Sequence, residues 1–450
     1  MWKRFLIKGG EVMKNIISFL VIPLIFLALA ACSNSSNNTS ENSDAEEDVK
    51  ELEVWVHVPA DEPEGENYDV RAKEFEEAHE NVDVTVEHIV KTGGGSGYND
   101  RLNAAITTGE LPDIIALESV YAASYTDSDI LLPLNEYLDQ ATLDSYLDTI
   151  ISAGSVGDNI YALQSFDLSS PVYYNVDLFE EAGIEVPADE NGNWTLDLAW
   201  SYEEFLENAR KLKDHMGQEP VHMFTENNGW HMYAHSPIIF SNDARMVGEN
   251  GLDTEGYLDS NNTMEALQFL DTLFRDGIVA STTREDAFAL EEAAISFEGP
   301  WMVDVFQSEY PDLNWSIMPY PYGKDGHQSA PHGSWYIAAT QNTEYPELSA
   351  ELVAHLTNKD SAIKMEEAAG LIPGHKELLD SSETYSDYPR KLMLDQLVNT
   401  NHLKPKSPIF PVLEDALGDI MEGIALDNGS LESLINDAKE KVDREADRFK

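Results

Sequence analysis

His231 and His235, in the run His231-Met-Tyr-Ala-His235, set two imidazoles one helical turn apart, a spacing that could bind a metal. No Glu follows the first His in the zinc-protease pattern and no third ligand is suggested nearby, so a local structural role fits better and no metal is expected. The chain holds 83 Asp and Glu residues, yet no segment singles out two of them as the acid and base of a glycosidase, whose separation is set in space. A Gly-x-Ser-x-Gly elbow is absent, and Gly93-Gly94-Gly95-Ser96-Gly97 lacks the Lys-Ser or Lys-Thr pair that ends a phosphate cradle. Neither catalysis nor a cofactor is expected. The tryptophans are more telling. Gly229-Trp230, Gly299-Pro300-Trp301 and Gly333-Ser334-Trp335 each place an indole beside small or turn-forming residues. Such an indole can offer its face to the C–H side of a sugar ring and its N–H to a hydroxyl.

The single cysteine closes an apolar run. Lys14, the stretch Ile16 to Leu29 and the small pair Ala30-Ala31 form a secretory signal, and Cys32 directly after them reads as a lipobox. In such signals the thiol receives a diacylglyceryl group and the peptide is cut before the cysteine. Two acyl chains anchor stably where one is marginal. The expected signal therefore spans 1–31, with Cys32 as the lipidated residue. Met13-Lys14 is already a complete signal start, so Met13 rather than Met1 is the expected initiator.

Charge narrows the partners. With 83 acidic against 28 basic residues the formal net charge is −55, which repels nucleic acid and anionic headgroups. The acids are spread along the whole mature chain, which reads as surface adaptation to salt or alkaline surroundings rather than as one cation-capturing cluster. Hydrophobic residues at 42% are ample for the cores of two or three domains. With Cys32 lipidated, no disulfide is possible and packing alone must hold the fold.

The elements that would position these residues follow in order. Residues 32–49 form the lipidated cysteine and a polar, flexible tether. Alternation predicts strands over 52–58 and 82–90 and a helix over 68–79 between them. A helix over 99–107 runs to a Gly109 stop, and 112–117 reads as a buried strand. Long helices are predicted over 202–213, 262–275, 347–357 and 431–449. Strands alternating with helices indicate a mainly parallel sheet covered on both faces.

The order of segments resembles the extracellular solute-binding proteins of ABC importers, in the cluster that includes maltose-binding protein. The likeness rests on Tyr98 to Asp113, Asp158 to Leu163, Tyr173-Tyr174-Asn175 with Ala182-Gly183-Ile184, Trp200 to Phe205, Glu292 to Trp301, Ala350 to Thr357 and Gly370 to Pro373. The chain departs from the family at Gln164, where many relatives have Pro after "Y-A-L", and at the glycine-rich loop 93–97.

The resemblance implies an α/β, two-lobed periplasmic-binding-protein fold with crossing hinge strands and a ligand cleft between lobes. The N-terminal lobe would hold 50–167 plus 332–372, and the C-terminal lobe 168–331 plus 373–450. Implied ligand-binding residues are Trp301, Trp335, Tyr174, Trp230, Glu118, Asp167 and His57. The implied ligand is a carbohydrate, an oligosaccharide, delivered to the permease subunits of an ABC transporter by hinge closure. The protein would be a monomer held to the extracellular face of the cell membrane by its lipid. The rivals are capture of a polyamine or other cationic solute, and a surface glycoside hydrolase.

Overall fold

The computed structural model describes residues 49–89, 96–225, 229–284, 286–324, 326–400 and 404–449. The signal and lipidation readings, the tether up to residue 48 and Gly93 to Gly95 of the glycine-rich loop lie outside these residues.

Strand β1 (Lys50–Val56) buries Leu52, Val54 and Val56 and turns Glu51 and Glu53 to solvent, as its alternation dictates. It pairs in parallel with β2 (Val82–His88) and β3 (Ile114–Glu118). The connections are helical. Pro63 opens the helix Pro63–Ala78, where its missing N–H costs nothing. The helix Ser96–Thr108 ends at Gly109, whose φ of +74° favours glycine. Next come the hairpin β4 (Ser155–Val156) and β5 (Asn159–Ile160), then β6 (Phe166–Asp167).

The second sheet is built from β7 (Val172–Asn175), β8 (Val221–His222), β9 (Ile295–Ser296) and β10 (Trp315–Met318), in the order β10-β7-β9-β8. Here β8 and β9 run parallel, while β7 is antiparallel to both its neighbours. The helix Tyr202–Met216 starts on a full capping box, Ser201 with Glu204, and stops at Gly217 in the left-handed region. The chain then returns through β11 (Trp335–Ala339), antiparallel to β3, and β12 (Ile372–Pro373), antiparallel to β6.

Buried side chains gather around each sheet. One core runs from Leu52 to Leu163 and from Tyr336 to Leu356. The other runs from Val172 to Tyr320 and from Leu392 to Ala446. Pairing of β6 with β12, and the bridges Leu163 to Ile337 and Ser169 to His332, tie the crossing segments together. The result is the two-lobed α/β fold. Among the described residues, no helix is long and apolar enough to cross a membrane.

Candidate ligand cleft

In open parallel sheets, ligands sit beyond the carboxyl ends of the strands, where connections diverge and backbone groups are free. The first lobe brings His57 (just past β1), Glu118 (the end of β3) and Trp335 (the start of β11) to one such edge. Register fixes the last two, since Trp335 lies opposite Glu118. The His57 ring stacks on the Trp335 indole, centroids 4.0 Å apart and planes 10° from parallel, and Tyr98 meets the indole edge-on at 5.4 Å. Tyr98 is itself pinned, donating to the Ala116 carbonyl at 2.7 Å and accepting from the Ala116 N–H at 3.0 Å. The Gln164 amide donates to the Trp335 carbonyl. One indole face is thus backed and the ring held. Gly333 just before it has a φ of +99°, and a side chain there would meet Ser119 Oγ and Lys404 Nζ.

The second lobe supplies Phe224, Trp230, Tyr233, Glu298 and Trp301 from the segments following β8 and β9. Trp230 is the centre of this aromatic wall, 4.8 Å from Phe224, 5.3 Å from Tyr233 and 6.0 Å from Trp301. Trp301 is 43% exposed although it is a large indole. Its ring folds back over Gly299, where a Cβ would fall 2.2 Å from it, so only glycine fits. Tyr173 donates its hydroxyl to the Gly299 carbonyl at 2.9 Å and fixes the loop from below. Glu298 Oε1 lies 3.3 Å from His222 Nε2, and burial pushes its carboxyl up to about 7.

Polar groups join the walls. Lys404 Nζ stands 4.8 Å over the Tyr233 ring, and burial holds its ammonium below the usual lysine range against the pull of Glu118 and Glu414. Tyr121, which packs against both cores, donates its hydroxyl to Glu414. The Tyr233 and Ser170 hydroxyls are 2.9 Å apart, and Gln396 donates to the Ser170 carbonyl at 2.9 Å.

The residues singled out from sequence separate into three groups. Trp335, Glu118, Trp230 and Trp301 reach the walls. His57 and Asp167 are only 5% and 2% exposed, so they sit behind the surface rather than on it. His57 backs Trp335. Asp167 accepts from the Leu168 N–H at 2.8 Å, and burial pushes its carboxyl up to about 6. Tyr174 lies elsewhere. Both it and its neighbour Tyr173 are buried in the second core on opposite strand faces: Tyr174 packs 4.7 Å from Phe179, and Tyr173 lies beneath the Trp301 loop. Tyr121, Tyr233, Lys404 and Glu414 carried no local signal, since they meet only through the crossing of distant segments.

His231 and His235 sit on a short π-helical turn, buried, with their Nδ1 atoms 2.9 Å apart. Burial, then His231 and His222, keep His235 far below the ordinary histidine range and hence neutral. Among the described residues, no group of three or more His, Cys, Asp or Glu is placed to hold a metal ion.

These features define a two-lobed binding protein. The family of bacterial extracellular solute-binding proteins matches residues 59–363, and the chain belongs to that family. A binding protein of Brucella abortus (strain 2308) is 23% identical over 357 residues, covering 76% of this chain and 82% of its own. The arabinooligosaccharide-binding protein of Halalkalibacterium halodurans is 22% identical over 346 residues, covering 73% and 72%. Among solved structures, the cyclic alpha-maltosyl-1,6-maltose binding protein of Arthrobacter globiformis superposes with a TM-score of 0.72 at 18% identity, covering 88% of this chain and 99% of its own.

Proposed function

We propose that the chain is a substrate-binding lipoprotein that captures an oligosaccharide between its lobes and delivers it to the permease subunits of an ABC importer. The observation that carries this reading is the pair of aromatic walls, Trp335 in one lobe and Trp230 with Trp301 in the other. A sugar ring presents C–H faces to such indoles and hydroxyl edges to groups such as Glu118 and Lys404. Hinge closure would bury both faces at once, and ligand favours the closed state only through contacts made there. Oligosaccharide-binding relatives support the ligand class. The Lys404 ammonium in the cleft disfavours a polyamine, which would need carboxylates alone.

Cys32 carries the lipid in this reading, the polar tether lets a monomer stand off the extracellular face of the membrane, and the acidic surface keeps it soluble in salt. The test is a thermal-shift and tryptophan-fluorescence screen against mono- and oligosaccharides and polyamines at low and high salt. A ligand at 100 times its dissociation constant should stabilise the fold by about 2.7 kcal/mol. A salt-tolerant oligosaccharide hit is the expected result. A polyamine hit that collapses with salt, or turnover of a glycoside, would overturn it.

A further inference from the structure

Glu414 stands on the helix Phe410–Ala425, whose Leu413, Ala416 and Leu417 belong to the second core. Its side chain does not stay with that lobe. It accepts the hydroxyl of Tyr121, which follows β3 of the first lobe, and the Tyr121 ring packs on Phe410 at 5.3 Å. A side chain on Gly229 would come within 2.9 Å of the same carboxylate, so backbone closes on it from the Trp230 segment too. The charged and titratable groups around it are Glu118 from β3, Tyr121 and Tyr125 from the turn and helix after β3, Lys404 from the preceding segment and Asp415 on its own helix. None forms an ion pair with it within 4 Å among the described residues, although Lys404 contributes its field.

We propose that Glu414 is a proton-operated latch: bringing the lobes together places a proton on this carboxyl, so closure is favoured as pH falls and opposed as pH rises. The chemistry is that of a carboxylate moved out of water toward another carboxylate. In the arrangement described, with Tyr121 of one lobe on Glu414 of the other, burial first, and Glu118 second, push Glu414 up to about 7; the latch takes this as the closed state. A motion that parted the lobes at this contact would separate it from Tyr121 and Glu118 and rehydrate it, returning it toward the ordinary carboxylate range. Closure therefore takes up a proton between that range and about 7, and the closed state loses ground as pH rises through the window. The neutral carboxyl still accepts the Tyr121 hydroxyl, so the hydrogen bond survives protonation while the repulsion with Glu118 does not.

The inference rests on the two-lobe capture reading, yet its test needs no ligand. Spin labels on Glu77→Cys and Asn436→Cys, in the full chain with Cys32→Ser, report the distance between lobes by pulsed electron resonance. The closing constant should fall at least tenfold from pH 6 to pH 9 in this background. In Glu414→Gln it should be independent of pH, and in Glu118→Gln the midpoint should move to lower pH. Circular-dichroism melts check that each variant is folded; if Glu414→Gln is not, the Glu118→Gln shift decides. A distance distribution independent of pH in the parent, or a pH response unchanged in the variants, overturns the latch. Failure of the sugar screen alone would leave these distances unaffected, so the two readings fail separately.

Discussion

Asp167→Asn should stabilise the protein at alkaline pH. The carboxyl is 2% exposed at the crossing of β6 and β12, and burial raises it from 3.8 to about 6 against the help of the Leu168 N–H and the nearby Thr149 hydroxyl. A group raised on folding leaves the unfolded chain to release its proton first. Stability therefore falls as pH rises from about 4 to about 6 and stays reduced above. Moving this carboxyl from 3.8 to about 6 corresponds to about 3 kcal/mol. The amide removes the charge and keeps an acceptor for the Leu168 N–H. Its new N–H group faces the Thr149 hydroxyl, whose oxygen can accept from it in place of donating to the carboxylate. Urea unfolding of both proteins at pH 4 and pH 8 reads the effect directly. Equal stabilities near pH 4 and a gain of about 2–3 kcal/mol for the variant at pH 8 are expected. A loss at pH 8, or a gain identical at both pH values, would refute the assigned burial penalty.

Other consequences are quicker to check. Trp301→Ala should weaken oligosaccharide affinity at least tenfold by titration calorimetry, because it deletes the most exposed indole of the second wall. Gly299→Ala should weaken it comparably with Trp301 still present, since a Cβ 2.2 Å from the ring must displace it. His57→Ala should cost affinity by about 0.5–1.5 kcal/mol, the range for an aromatic stack, by freeing Trp335. Raising NaCl from 0.05 to 1 M should raise the melting temperature, because screening relieves the self-repulsion of a chain with net charge −55.

Much of the fold was legible because it is local. The alternation of Leu52, Val54 and Val56 and the Gly109 stop each fix their element through neighbours in sequence. Helices predicted over 262–275 and 347–357 are found at Asn261–Arg275 and Pro346–Leu356. The glycine beside Trp301 has a local physical reason as well, since Gly299 must be small where the indole folds back. Tyr174 is buried in the second core, because β7 is covered on both faces and a sequence pattern alone does not tell which face fronts the cleft. Gln164, unusual for the family, turns out to hold the Trp335 carbonyl. Lys404 and Glu414 could not be read at all. Their meaning arises only when a segment near the C-terminal end is laid against β3 and the Trp230 turn.

The most direct measurement is the crystal structure of the protein with its best-binding oligosaccharide. Sugar rings lying between Trp335 on one side and Trp230 with Trp301 on the other, with hydroxyls on Glu118 or Lys404, are the expected result. A ligand bound outside the two walls, or held on one lobe alone with the indoles untouched, would contradict the account.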